Sequence, residues 1–263
     1  LESSDQITQC IMDHVTPRTR LALIDHVTSP TALVLPIADI VASLAKRNVD
    51  TLVDGAHAPG MVPLDLQSLG AAYYTGNCHK WLCTPKGAGF LYVHPDRQHD
   101  IRPAVISHGA NAPTDRASRF RQEFDWTGTT DPTACLCIES AIQFLGALLP
   151  GGWDQVMKHN RQMALDARDV LCTTLHVPPP CPDNMIGSIA AVPLPWDAPE
   201  SGCWFPDSLP LQNELRTQFN IEVPIIPFSA APKQLVRISA QLYNSPSQYQ
   251  RLAQALVTLG PTC

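Results

Sequence analysis

A chain of 263 residues, 44% of them hydrophobic, can bury one sizeable core plus a smaller appended unit, and is too long to read as a single compact domain. Its 18 basic against 24 acidic residues, with no basic run, argue against a nucleic-acid or polyphosphate surface and for a small-molecule partner. No apolar stretch reaches the roughly 18 to 20 residues of a bilayer span and no signal peptide opens the chain, so a soluble, cytoplasmic protein without membrane contact is expected.

In chain order, Leu1 stands inside a helical or loop segment, as it would in a fragment of a longer protein. Leu21-Ala22-Leu23-Ile24-Asp25 is a short apolar run of the kind buried on both faces of a parallel sheet. Ile37, Ile40, Val41, Leu44 and Ala45 follow the i, i+3, i+4, i+7 spacing of an amphipathic helix, and Thr51-Leu52-Val53 is a second buried strand ending at Asp54. This strand, helix, strand rhythm predicts an α/β fold with a mostly parallel sheet and flanking helices. Ligands gather at the carboxyl ends of such strands, where Asp54, His57 and the turn leading from Ala71-Ala72-Tyr73-Tyr74 to Lys80 all fall.

Gly87 to Val93 reads as another strand, and its Gly-x-Gly lacks the third glycine and following helix of a dinucleotide fingerprint. A long irregular stretch is expected from Pro95 to Asp131, then helices over Pro132 to Leu148 and Gly152 to Leu175, separated by Pro150-Gly151-Gly152. The proline run Val177 to Pro182 resists helix and central strand alike and marks a domain boundary. Residues 1–176 are thus expected to form a partial large domain, and 177–263 a small α+β domain. The small domain has strands at Ile186 to Val192, Ile221 to Ile226 and Leu235 to Ile238, and helices at Leu209 to Phe219 and Ser247 to Leu259. The nine cysteines have scattered spacing and no CxxC pair, which fits reduced thiols and gives no metal site.

Lys80, in Tyr74-Thr75-Gly76-Asn77-Cys78-His79-Lys80-Trp81, is the most telling residue. A lysine amine can hold an aldehyde cofactor as a Schiff base, and an upstream aspartate such as Asp54 can keep a ring nitrogen protonated. Pyridoxal 5'-phosphate needs both. An opposite charge at contact distance raises a pyridine nitrogen's pKa by about 1 to 3 units, which keeps the ring an electron sink. The competing role for Asp54 is to cap the turn before Gly55. His57 can donate to the cofactor's phenolic oxygen, and His79 with Asn77 can donate to its phosphate from a tight turn after Gly76. Each histidine could instead be a surface or packing group. Arg237 sits among apolar neighbours in Leu235-Val236-Arg237-Ile238-Ser239, where a planar bidentate cation suits a carboxylate ligand or, in the rival reading, a structural ion pair.

Asp54-Gly55-Ala56-His57, the Gly76 to Trp81 loop, Trp126-Thr127-Gly128-Thr129 and Arg237-Ile238-Ser239 with Tyr243-Asn244 stand in one order. In that order the chain resembles the class V aminotransferases, fold type I pyridoxal-phosphate enzymes, over essentially its whole length. Leu23 to Pro30 and Phe124 to Thr129 resemble the isopenicillin N epimerase-like branch in particular. The resemblance implies that Lys80 carries the cofactor and moves protons at the substrate α-carbon, that Asp54 pairs with the ring nitrogen, and that His57 meets the phenolic oxygen. It also implies that Asn77 and His79 contact phosphate and that Arg237 binds the substrate α-carboxylate. Gly128 and Thr129 would reach the phosphate of a neighbouring subunit, which implies a homodimer with shared sites.

In the family a preceding segment supplies a phosphate-cradling turn and a residue that stacks on the cofactor ring, and this chain starts downstream of both. Desulfurase relatives carry a nucleophilic cysteine shortly before the substrate arginine. Residues 223–236 contain none, and Cys203 lies too far upstream. The resemblance implies an isopenicillin N epimerase-like enzyme acting at the α-carbon of an amino acid or aminoacyl peptide; the residues leave epimerisation, transamination and C–S elimination open, with a catalytically silent fragment as a further alternative.

Overall fold

The structure, a computed structural model, describes residues 1–113, 117–196, 210–228 and 234–260. It opens with helix α1 (Asp5–Asp13) and strand β1 (Leu21–Asp25), followed by α2 (Ile37–Ala45), β2 (Asp50–Gly55), α3 (Leu66–Leu69), β3 (Tyr73–Asn77) and β4 (Gly89–Val93). The four strands make one sheet in the order β1-β2-β3-β4, with β1, β2 and β3 parallel and β4 antiparallel. The register sets Asp25 beside Asp54 and Asp54 beside Thr75, so the carboxyl ends of the parallel strands lie level. Helix α2 has the predicted bounds, and Ile37, Ile40, Val41 and Leu44 are its buried face, as their spacing requires.

The stretch predicted to be irregular contains a helix, α4 (Arg119–Phe124). Its Glu123 carboxylate is buried and receives both Arg102 and Arg119, and those two long-range and local ion pairs carry no hydrophobic periodicity in the sequence. The first predicted helix after it is split into α5 (Thr133–Leu136) and α6 (Ile138–Gly146), and α7 (Gly152–Leu175) has the expected span. Beyond the proline run come β5 (Ile189–Pro193), α8 (Pro210–Phe219), β6 (Ile225–Pro227), β7 (Gln234–Ser239) and α9 (Pro246–Leu259). Leu209, the expected first residue of α8, lies outside the described residues. Strand β5 starts later than predicted because Asp183–Met185 forms a 3-10 turn and Ile186 bridges back to Leu33. Most of the run Ile221 to Ile226 approaches the sheet without joining it, and only its end pairs with β7.

The second sheet, β5-β7-β6, is antiparallel. Ala190, Val192, Val236 and Ile238 on one of its faces pack with Leu171, Leu175, Leu252 and Leu256 of α7 and α9. Ile189, Ala191 and Leu235 on the other pack with Val27, Ala32, Val53, Met61 and Tyr74, so the two sheets share a core. Among the described residues, the first sheet is covered on one face alone. On the other, Leu21 and Leu23 are 51% and 66% exposed and Leu91 also faces solvent.

Gly55 ends β2 under the ring of Tyr74, which is fully buried. A β-carbon there would lie 2.2 Å from the tyrosine oxygen and ring edge. Overpacking of this kind costs roughly 1–3 kcal/mol or more. Gly55→Ala is therefore expected to lower the unfolding free energy by that amount, read as a lower urea midpoint at unchanged slope, and an unaltered midpoint would contradict the packing described.

Candidate active site

Three short segments at the carboxyl end of the first sheet converge with one strand of the second. At the end of β2, the Asp54 carboxylate Oδ1 accepts the Ala56 backbone N–H at 2.9 Å, and its other oxygen makes no hydrogen bond among the described residues. Asp54 thus caps its own turn and still presents an acceptor. The chain then turns through Ala58, whose N–H donates to the Gly55 carbonyl, and brings His57 over the strand ends.

The Lys80 loop is a closed structure. Cys78 N–H donates to the Ala88 carbonyl, Thr84 N–H to the Cys78 carbonyl and Cys83 N–H to the Lys80 carbonyl, with Cys83 in the left-handed region at φ 56°. Cys78, Leu82 and Ala88 fill a small apolar cluster against Ala134, Ile138 and Trp153, which anchors the loop to the helices behind it. His79 donates Nδ1–H to the Ala88 carbonyl at 2.8 Å, an arrangement that turns Nε2 away from the backbone. The turn expected after Gly76 begins at Cys78, and Gly76 itself lies within β3. A β-carbon there would meet the Phe90 ring at 2.4 Å and Pro59 at 2.9 Å, so it is glycine for close packing rather than for a turn.

Lys80 Nζ lies 3.3 Å from His57 Nε2, both groups half-buried. Burial lowers the lysine's pKa, Asp54 partly restores it, and Arg237 lowers it again. His57 is held down to about 4, chiefly by burial and then by the Lys80 and Arg237 charges, with Asp54 opposing. The ring is therefore neutral near pH 7. His57 Nδ1 is buried without a partner among the described residues.

Arg237 extends from β7 to the loop after β1. There Nη1 donates to the Ser29 carbonyl at 2.6 Å and to the Ser29 hydroxyl at 2.9 Å, while its Nε is buried with no partner among the described residues. The structural ion pair considered as its rival does not form among the described residues. Gly128, at φ 129° with open space where a side chain would stand, and the exposed Thr129 form no hydrogen bond with Lys80, His57 or Asp54. Asn77 closes β3 opposite Gly89. Cys203 lies outside the described residues.

Several neighbours were not singled out from the sequence. Asp25 ends β1 beside Asp54, and burial and that neighbouring charge raise its pKa. Buried His26 bonds Tyr74 Oη through Nδ1 at 2.8 Å, and burial lowers its pKa to about 4. The parallel register alone would have pointed to Asp25. Ser29 has no local signal, since its partner is 208 residues away.

Such a site matches the demands of an aldehyde cofactor with a phosphate tail. It offers a lysine amine of lowered basicity, a carboxylate with a free oxygen, a neutral imidazole, and a guanidinium N–H that burial leaves without an acceptor. Together with an α/β fold whose ligands collect at strand ends, these groups define a pyridoxal-phosphate type of architecture. The chain belongs to the class V aminotransferase family, whose sequence model matches residues 2–178. It is 34% identical to an isopenicillin N epimerase of Amycolatopsis lactamdurans over 98% of this chain and 65% of that protein. It is also 34% identical to a probable chloroplastic L-cysteine desulfhydrase of Arabidopsis thaliana, over 91% of this chain and 50% of that one. Among solved structures, a cystine C–S lyase in complex with its product cysteine persulfide superposes with a TM-score of 0.77 at 24% identity, over 97% of this chain and 65% of that one, a likeness of fold. The chain spans between half and two thirds of the length of these relatives. No helix among the described residues is long and apolar enough to cross a membrane.

The two depressed histidines make stability depend on pH. Their unfolded rings take up protons below about 6.5, while the folded rings refuse them down to about 4, so stability is present above that window and is lost as pH falls through it. Asp25, shifted upward, opposes this at the acid end. The urea midpoint should drop between pH 6.5 and 4, and His26→Gln should shrink the drop. A flat profile would show that these rings titrate normally in the fold.

Proposed function

We propose that this chain carries the cofactor-holding and carboxylate-binding parts of a pyridoxal 5'-phosphate enzyme acting at the α-carbon of an amino acid or aminoacyl peptide, with epimerisation of the isopenicillin N type as the leading reaction. The observation that carries this reading is the 3.3 Å approach of Lys80 Nζ to a neutral His57, beside Asp54 and within the field of Arg237. Lys80 would hold the cofactor's aldehyde carbon, Asp54 its ring nitrogen and His57 its phenolic oxygen. Asn77 and His79 would take the phosphate, joined by Gly128 and Thr129 of a second copy in a homodimer. When bound, the cofactor supplies a cationic ring that stabilises negative charge at the α-carbon. Residues 1–176 would be the cofactor-binding part and 177–263 the small domain, in a cytoplasmic enzyme.

The chain's own groups account for the remaining work. Desolvation of Lys80 increases the share of free amine near neutral pH, which lets it act as nucleophile and then as base toward an α-proton. Asp54 stays where its free oxygen can face a ring N–H, since its other oxygen is tied to Ala56. Arg237 orients the α-carboxylate and so decides which bond at the α-carbon lies in line with the ring's orbitals. A second reading, C–S bond cleavage, is supported by the desulfhydrase relative. Both begin with the same proton removal by Lys80, and they differ in whether a sulfur leaves.

With cofactor added, the protein should absorb visible light, and borohydride should fix the cofactor to Lys80. Lys80→Ala should abolish the fixation and lower turnover by roughly 10²- to 10⁴-fold. Retained fixation in that variant, or no absorbance at all, would leave a silent fragment as the surviving account. Loss of a charge-assisted bidentate contact in Arg237→Ala should raise KM by about 10- to 100-fold. Chiral analysis, keto-acid assay and sulfide assay on the same amino-acid panel separate epimerase, transaminase and lyase.

A further inference from the structure

We infer that Ser29 is a positioning residue that occupies the Nη1 end of Arg237 and thereby presents the Nε and Nη2 edge of the guanidinium as the docking edge for a substrate carboxylate. The inference rests on the proposed function and adds to it which edge binds and what sets that edge. A guanidinium carries five N–H donors in a rigid plane and can meet a carboxylate in parallel bidentate fashion through either its two terminal nitrogens or one terminal nitrogen and Nε. Here Nη1 is committed, because its two protons match the two acceptors of Ser29, the carbonyl at 2.6 Å and the hydroxyl at 2.9 Å. That removes the end-on mode. The remaining fork is Nε with Nη2, and Nε is buried with no acceptor among the described residues. A buried donor left unpaired costs free energy, and an incoming carboxylate would satisfy it.

Ser29 is itself held in place. Thr28 N–H donates to the Leu33 carbonyl, Ala32 N–H to the Thr28 carbonyl and Leu33 N–H to the Thr28 hydroxyl, which also bonds Thr31 at 2.6 Å. Ala32, completely buried, closes the turn in the left-handed region at φ 58°. Val27 and Val34 bridge across the base, and Leu33 bridges to Ile186 of the second half of the chain. The turn is thus fastened at both ends with Ser29 and Pro30 at its tip. A preorganised acceptor pair fixes the guanidinium plane before the ligand arrives, so less ordering remains to be done on binding.

The test is equilibrium binding to the cofactor-loaded protein of two probes, L-alanine and L-alaninamide, the second lacking the carboxylate. Ser29→Ala removes one of the two acceptors and should weaken L-alanine by about 3- to 10-fold, less than the full loss of one hydrogen bond to a charged group because the Ser29 carbonyl still holds Nη1. It should leave L-alaninamide and the cofactor's visible absorbance unchanged, and Ser29→Thr should restore L-alanine binding. In the unaltered protein, the ¹⁵N resonance of Arg237 Nε should move on addition of L-alanine. Equal weakening of both probes, no weakening of either, or a stationary Nε resonance while L-alanine binds would overturn the assignment. If L-alanine leaves both the absorbance and the Nε resonance of the unaltered protein unchanged, the underlying functional reading fails, and this assignment with it.

Discussion

The site depends on an amine kept partly out of water beside an imidazole that stays uncharged. Lys80 and His57 cannot both be positively charged 3.3 Å apart in a half-buried pocket near a guanidinium without mutual repulsion, and the histidine is the group that yields. Asp54 moderates this from the end of β2, favouring charge on Lys80 while Arg237 disfavours it. The fold's contribution is to hold these opposing charges at one level. The parallel register sets the strand ends side by side, and the closed loop around Lys80 restricts where the amine can go.

Much of this was legible because it is local. The bounds of α2 follow from its apolar spacing, and Asp54 is marked as the last residue of a buried run before Gly55 and a turn. The two roles weighed for Asp54 coexist, one for each carboxylate oxygen. Less was legible where partners are distant in sequence. Glu123 has a local partner in Arg119, one helical turn before it, but its burial also draws on Arg102 from outside α4, and nothing in its immediate neighbours announces that. The turn after Gly76 was legible, but the reason for the glycine itself, the Phe90 ring on the adjacent strand, was not. The link from Ser29 to Arg237 needs both sheets to be folded and packed before it exists.

Arg237 is also where the two sheets meet in a polar contact above their shared apolar core. Ile189, Ala191 and Leu235 supply the non-directional adhesion between them, and the arginine supplies a directional tie at the site. Burial lowers its pKa, but from so high a starting value that its charge persists near neutral pH. It therefore acts on Lys80 and His57 as a fixed positive field, whatever those two groups do.

The leucine-bearing side of the first sheet has a practical bearing on any work with this polypeptide. Parallel strands are ordinarily sheltered on both sides, and bare apolar area of this kind drives nonspecific self-association. Particle size measured on the isolated polypeptide will report stickiness of Leu21, Leu23 and Leu91 as readily as a genuine two-fold assembly. Distinguishing the two calls for polar replacements at those leucines before any oligomer is credited with sharing its pockets.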